Sequence, residues 1–132
     1  MLVRVPFADV DMHGHVHNGK YFLYAEAAIN EYIRDNELAA VFDPGSSAAV
    51  YHVRKVTVRY DGVAGFDDVL DVVARVARIG TTSLTFVVTM SHSGNGPMVA
   101  EAEVVWVCVH SATRKPTPIP ETTRRSLATV DS

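Results

Sequence analysis

The chain has 132 residues, is 48% hydrophobic and 20% charged, and carries a net charge of −3. That is enough apolar material for one cored domain, and it excludes a disordered chain, which is poor in apolar residues and strongly charged. Residues 1–66 hold 6 basic and 8 acidic groups and residues 67–132 hold 6 and 7, so neither half offers the basic surface that nucleic acid or an anionic membrane requires. Cys108 is the one cysteine. It permits no intrachain disulfide and no Cys-based zinc site, and it fits a reducing, cytoplasmic location. Met1 to Asp9 lacks the apolar stretch of a signal peptide. No segment approaches the ~20 apolar residues of a membrane helix.

In chain order, residues 2–8 read as a short strand and residues 9–17 as a loop rich in Asp and His. A helix is predicted from about Asn18, an N-cap residue type, to Glu37. Tyr21, Ala25, Ala28, Ile29, Tyr32 and Ile33 form its apolar stripe, and Phe22, Leu23 and Ala27 lie off that stripe. The first half is therefore apolar on most sides and expects burial on most sides. Residues 38–49, with Asp43-Pro-Gly-Ser-Ser, read as a connector. Residues 50–60, 69–79, 84–91 and 98–110 read as four strands of an antiparallel meander. The last of these is apolar on both faces, which implies a second subunit. The tail from about 111 holds Pro116, Pro118 and Pro120 and is expected to be extended. The whole chain, 1–132, reads as one domain.

The chemistry lies in Asp9, Asp11, His13, Gly14, His15, Val16, His17 and Asn18, just before a helix start. A helix N-terminus offers unpaired N–H groups and partial positive charge. Such a site polarises a carbonyl or holds an oxyanion. A carboxylate beside it can attack a carbonyl or activate water. Acyl transfer or hydrolysis follows.

The order Phe7-x-Asp9-x-Asp11-x-x-Gly14-His15-Val16-x-Asn18-x-x-Tyr21, then Tyr24-x-Glu26-x-Ala28, resembles the opening motif of the 4-hydroxybenzoyl-CoA thioesterase family. Val56-x-Val58-x-Tyr60, Asp68-x-Leu70-x-Val72 and Gly80-x-x-Ser83 resemble its later strands more loosely. The resemblance implies an α+β hotdog fold, a long helix wrapped by an antiparallel sheet of about five strands. It implies homodimers, often paired into tetramers, with active sites between subunits. It implies hydrolysis of an acyl-CoA or acyl-carrier-protein thioester with no metal or prosthetic group, CoA being part of the substrate. By the same resemblance Asp11 is the nucleophile or general base, and the Asn18 N–H polarises the thioester carbonyl. His15 and Gly14 shape the loop, His15 is a further catalytic candidate, and Gly14, Val16, Tyr21 and Ser83 are candidates to meet substrate.

Other readings attach to the same residues. A hydratase or dehydratase on this fold pairs a His with an acid, which His13, His15 or His17 with Asp11 could imitate. A non-catalytic acyl-CoA-binding domain has no need of Asp11. In an extended chain His13, His15 and His17 share a face and suggest a metal, but Gly14 and the helix that follows argue against it. Asp9 reads as a loop-closing residue through Asx-type bonds. Glu26 reads as a paired carboxylate or, on the sharper view, a second catalytic one. Cys108 reads as a small core residue. Arg78, Arg114, Lys115, Arg124 and Arg125 are candidates for the phosphates of CoA.

Overall fold

Alternation of Val with polar residues sets the strands, and the computed structural model, which describes residues 1–45 and 48–130, forms them close to the expected places. The strands are β1 (Leu2–Arg4), β2 (Ala49–Tyr60), β3 (Val69–Ile79), β4 (Ser83–His92) and β5 (Met98–His110). The helices are α1 (Lys20–Asp35), the single turn α2 (Ala39–Phe42) and α3 (Glu121–Val130), with a 3-10 turn at Phe7–Asp9. The first strand thus stops at Arg4. Ser46 and Ser47 of the expected connector, and Asp131 and Ser132 of the tail, lie outside the described residues.

The five strands form one antiparallel sheet in the order β1-β3-β4-β5-β2. Only β3, β4 and β5 are a meander. Residues 61–68 carry the chain across the end of the sheet, so β2 lies on the outer side of β5 rather than against β3. The sequence of β2 suits an edge: His52, Arg54, Lys55 and Arg59 are all exposed, and charged side chains blunt a free strand edge.

Helix α1 lies across one face of this sheet, burying Tyr21, Tyr24, Ala25, Ala28 and Ile29. Opposite it, Leu70, Val72, Leu84, Phe86, Val88, Met90 and Val104 are fully or almost fully buried. A helix held in the curl of an antiparallel sheet is the hotdog arrangement. The outer side of α1 stays open, with Leu23 at 49% exposure and Ala27 exposed. The burial expected on most sides is therefore incomplete within one chain.

The helix ends differ from the sequence reading by two residues each. Gly19, not Asn18, stands at the N-cap, with helical φ and ψ and no capping side chain. The chain enters through a turn in which the Lys20 N–H bonds the His17 carbonyl at 2.9 Å. At the other end Glu37 takes φ +57. The Leu38 N–H then reaches the Ile33 carbonyl at 2.8 Å and the Glu37 N–H the Arg34 carbonyl at 3.2 Å. This is a Schellman stop with Glu where Gly is usual.

The tail is more ordered than its prolines suggest. Thr117 N–H bonds the Cys108 carbonyl, Ile119 N–H bonds the Thr81 carbonyl, and Pro120 leads directly into α3. Proline is tolerated at a helix start because its missing N–H has no partner there anyway. Leu127 and Thr123 then bury against the fold at 0% and 2% exposure. Among the described residues no helix is long and apolar enough to cross a membrane.

Candidate active site

The segment Asp9–His17 folds back on itself. Val10 pairs with Val16, the Asp11 N–H bonds the His15 carbonyl at 2.8 Å, and the His17 N–H bonds the Asp9 carbonyl at 2.8 Å. Gly14 turns the tip with φ +80, a conformation that costs glycine little. The loop docks onto residues 64–68: Val16 N–H bonds the Ala64 carbonyl, and His15 bridges to Gly65. A side chain at Gly65 would meet the Gly14 carbonyl at 3.1 Å, so the close approach depends on its absence.

Asp11 heads this turn. Its Oδ1 accepts the backbone N–H of His13 at 2.9 Å and of His15 at 3.2 Å. Oδ2 has no partner among the described residues. Partial desolvation pushes the Asp11 pKa up, but the two N–H bonds and the nearby His13 and His15 rings outweigh it, and the carboxyl titrates below its ordinary value. It is therefore an ionised carboxylate with one oxygen fixed and one free. His13 and His15 reach it through the main chain.

Asp9 anchors the same loop to α1. Its Oδ2 accepts the Tyr24 hydroxyl at 2.6 Å, and Lys20 Nζ lies 3.6 Å from Oδ1. The expected Asx-type bonds are replaced by these longer-range ones. Burial first, and then the bond to Asp9, holds the Tyr24 hydroxyl protonated well above the usual tyrosine range.

Asn18 is exposed just ahead of α1. Its carbonyl accepts the Tyr60 hydroxyl at 3.1 Å, which pins the helix entrance to the end of β2. Among the described residues the N–H groups of Asn18 and Gly19 find no acceptor. Val16 and Tyr21 lie beneath this surface at 2% and 3% exposure. Tyr21 stacks edge-on against Tyr24 and Tyr60, and burial raises its pKa. These two residues hold the site up rather than line an open surface.

Other candidates lie elsewhere. Ser83 sits at the opposite end of the sheet, beside Val107, on the face turned away from α1. Glu26 is half-buried on α1 with no ion pair among the described residues. Cys108 is fully buried, and burial raises its thiol pKa. Arg124 donates to the Gly80 and Thr81 carbonyls, and Arg125 pairs with Glu121. Among the described residues no three His, Cys, Asp or Glu side chains come together as a metal site.

One feature escapes the sequence reading. A pocket of about 500 Å³ opens between the far half of α1, α2, β2 and β5. Phe42, Tyr51 and Trp106 wall it, packed ring on ring at 5.1–5.9 Å, with Ile33, Val53 and Asn30 completing it. The Tyr51 hydroxyl is turned inward toward Cys108 and Thr123, and burial raises its pKa. Phe42 comes from the connector, whose short helix carried no periodicity to reveal it. Asp11 does not line this pocket. The pocket lies beside Asn30, and α1 rises about 1.5 Å per residue, so roughly 15 Å of helix separates it from the Asp11 end.

A curled antiparallel sheet around one helix is the hotdog fold, and likeness to known proteins makes the chain an enzyme of the thioester hydrolase class. A model of the thioesterase-like superfamily matches residues 5–127, and the chain belongs to that superfamily. The acyl-CoA thioester hydrolase YbgC of Escherichia coli is 32% identical over 119 residues, which cover 90% of this chain and 87% of that one. Among solved structures, Slr0204, a 1,4-dihydroxy-2-naphthoyl-CoA thioesterase from Synechocystis, superposes with a TM-score of 0.87 at 17% identity, covering 100% of this chain and 96% of that one. SAV2348 of Staphylococcus aureus, in complex with CoA, gives 0.85 at 17% identity, covering 98% and 80%. At these identities the two structures speak to the fold.

Proposed function

We propose that the protein hydrolyses acyl-CoA, or the equivalent carrier-protein thioesters, at Asp11. The observation that carries this reading is the Asp11 carboxylate, with Oδ1 fixed by two N–H groups and Oδ2 free. The relationship to YbgC supports the substrate class. The unbroken motif from Phe7 to Tyr21 supports placing the chain with the 4-hydroxybenzoyl-CoA thioesterases.

Asp11 acts in one of two ways. As general base it takes a proton from water, whose oxygen attacks the thioester carbon. As nucleophile it forms a mixed anhydride, which water then opens. In both, the C–S bond breaks, a proton reaches the departing thiolate, and the products are a carboxylic acid and free thiol. The unpaired N–H groups at Asn18 and Gly19 stabilise charge on the carbonyl oxygen. This chemistry asks for no metal or prosthetic group.

The working unit is a homodimer, itself able to pair into a tetramer. Three features support it: the free edge of β2, the open side of α1, and the separation of Asp11 from the aromatic pocket. One end of β2 lines the pocket, and Tyr60 at the other end bonds Asn18. Antiparallel pairing of two β2 edges about a two-fold axis swaps those ends. It sets the Asp11 loop of one subunit beside the pocket of the other, where the acyl group lodges.

The test is thiol release from benzoyl, hydroxybenzoyl, acetyl, hexanoyl and palmitoyl CoA by wild type and Asp11→Asn. Turnover by wild type that falls roughly 100-fold or more in Asp11→Asn supports the reading. Full activity in Asp11→Asn overturns the assignment of Asp11, and an inert wild type overturns the acyl-CoA substrate class.

A further inference from the structure

Residues 61–65 form the floor on which the Asp11 turn rests. Two of them tie this stretch to β5: the Asp61 and Gly62 N–H groups both bond the Val99 carbonyl, at 2.8 and 3.0 Å. Two others carry the turn, since the Ala64 carbonyl accepts the Val16 N–H at 2.8 Å and Gly65 bridges to His15. Val63 stands between the two pairs. Its carbonyl meets the ring of His92, at the end of β4, with Nε2 3.0 Å away. A carbonyl only accepts, so Nε2 carries the proton and donates. The bond therefore forms with the neutral ring and with the charged one.

The β4–β5 hairpin is shaped around this side chain. The His92 N–H bonds the Pro97 carbonyl and the Gly96 N–H bonds the His92 carbonyl, both at 3.0 Å. A Cβ at Gly96 would fall 2.7 Å from the His92 Cβ, so the turn closes behind His92 only with glycine there. The next residue, Ser93, donates its N–H to the Val69 carbonyl at 2.9 Å, which fastens the hairpin end to β3 as well. His92 thus stands on a well-held part of the sheet, and a side chain that orients a site from such a place holds it more closely than one on a loop. Val63 itself is exposed. Water can satisfy its carbonyl, but water does not tie that carbonyl to the sheet.

Resting on the reading of Asp11 as the working carboxylate, we infer that His92 is a positioning residue for it, acting through the floor of the turn. The ring holds the Val63 carbonyl, the next carbonyl holds the Val16 N–H, and Val16 pairs with Val10 across the turn that Asp11 heads. Without the donor the floor shifts, and a carboxylate out of line with the thioester carbon loses rate. The residues that line the aromatic pocket all lie elsewhere. His92 therefore acts on kcat and leaves KM alone.

The experiment compares wild type, His92→Phe and His92→Gln on the best hydrolysed acyl-CoA of the panel. Phe keeps a ring and removes the donor. Gln restores the donor, its amide nitrogen standing the same number of bonds from Cα as Nε2 does. The expected result is a kcat about 10-fold lower in His92→Phe, the size of one hydrogen bond, with KM unchanged. His92→Gln recovers most of the loss and keeps the wild-type pH profile, which an imidazole that moves protons would not permit. Amide exchange gives a second readout that needs no substrate. The N–H groups of Val16 and Asp11, bonded to the Ala64 and His15 carbonyls, exchange faster in His92→Phe, while those in the middle of α1 exchange as in wild type. A wild-type kcat in His92→Phe overturns the inference and leaves the hydrolase reading intact. An equal fall in both variants does the same, as does a fall in kcat with exchange at Val16 unchanged. Should wild type hydrolyse no thioester, the hydrolase reading falls alone, and exchange decides the role of His92, with equal rates at Val16 in wild type and His92→Phe overturning it.

Discussion

The Tyr24 hydroxyl donates to Asp9 Oδ2 at 2.6 Å, tying the loop that carries Asp11 to the helix behind it. Asp9 is only 15% exposed, and its other oxygen meets Lys20. Tyr24→Phe leaves a largely buried carboxylate short of one donor, which costs about 1–3 kcal/mol. The expected outcome is a lower midpoint in urea with m unchanged, and a fall in kcat as the Asp11 turn loosens. Because the Tyr24 pKa is raised in the folded state, its contribution is complete below the ordinary tyrosine pKa and is lost as pH rises above about 10. Tyr24→Phe should therefore lose less stability than wild type does as pH rises from about 9 to about 11.

Asp11 predicts a particular pH profile. Its folded-state pKa lies below the ordinary value of 3.8. The carboxylate is then ionised throughout the neutral range, and kcat/KM should hold level down to pH 5. The acid limb should fall only below about pH 4, where the free enzyme's Asp11 takes up its proton. A limb centred near pH 6.5 would instead point to an imidazole as the working group. The same direction of shift means any stability Asp11 contributes is present above its unfolded pKa and is lost as pH falls through the folded one.

Most of the fold is legible in the sequence because its elements announce themselves locally. Val69–Ile79 and Met98–His110 are Val-rich runs that end at turn residues, and both strands match the reading to the residue. The position of β2 was not legible, since strand order is decided by which edges meet after collapse, and alternation says nothing of neighbours. Helix α3 was hidden for a related reason. Pro116, Pro118 and Pro120 mark an extended approach, but what holds Glu121–Val130 is the burial of Leu127 and Thr123 against distant strands. The Asp11 turn was visible because its residues are contiguous. The aromatic pocket was not, because Phe42, Tyr51 and Trp106 come from three separate elements.

Trp106 is the single tryptophan and forms part of the pocket wall. Its fluorescence is thus a site-specific reporter of anything entering there. In Asp11→Asn, which on the proposed mechanism holds substrate without turnover, titration with a good acyl-CoA should give a saturable change in Trp106 emission that free CoA does not reproduce. Equal responses to CoA and acyl-CoA would place the acyl group elsewhere. Trp106→Ala should lower kcat/KM most for the acyl groups that fill the pocket, and it also destabilises by about 3–5 kcal/mol if the cavity fails to collapse.

Glu37 offers a stability prediction independent of function. Its φ of +57 ends α1, with its own N–H bonding the Arg34 carbonyl and the Leu38 N–H bonding the Ile33 carbonyl. A left-handed non-glycine residue costs about 1–2 kcal/mol, part of which glycine returns as unfolded-state entropy. Glu37→Gly should raise stability by about 0.5–1 kcal/mol in denaturant titration, with activity unchanged because the residue lies at the far end of α1 from Asp11. A loss of stability would mean that the Glu37 side chain holds something across a subunit contact.

The division of labour between Asp11 and the pocket can be tested by mixing two impaired proteins, assayed with an acyl group that fills the pocket. Asp11→Asn lacks the carboxylate and Trp106→Ala lacks the pocket wall. If each site takes its carboxylate from one subunit and its pocket from the other, a heterodimer of the two variants contains one site with both groups intact. Unfolding and refolding the variants together at equal concentration should then recover about a quarter of wild-type activity, half the dimers being mixed and each holding one good site of two. Refolding each alone controls for the procedure. Absence of recovery, with mixed dimers shown to form by mass, would put carboxylate and pocket in the same chain, and would require an acyl group long enough to span the roughly 15 Å of helix between them.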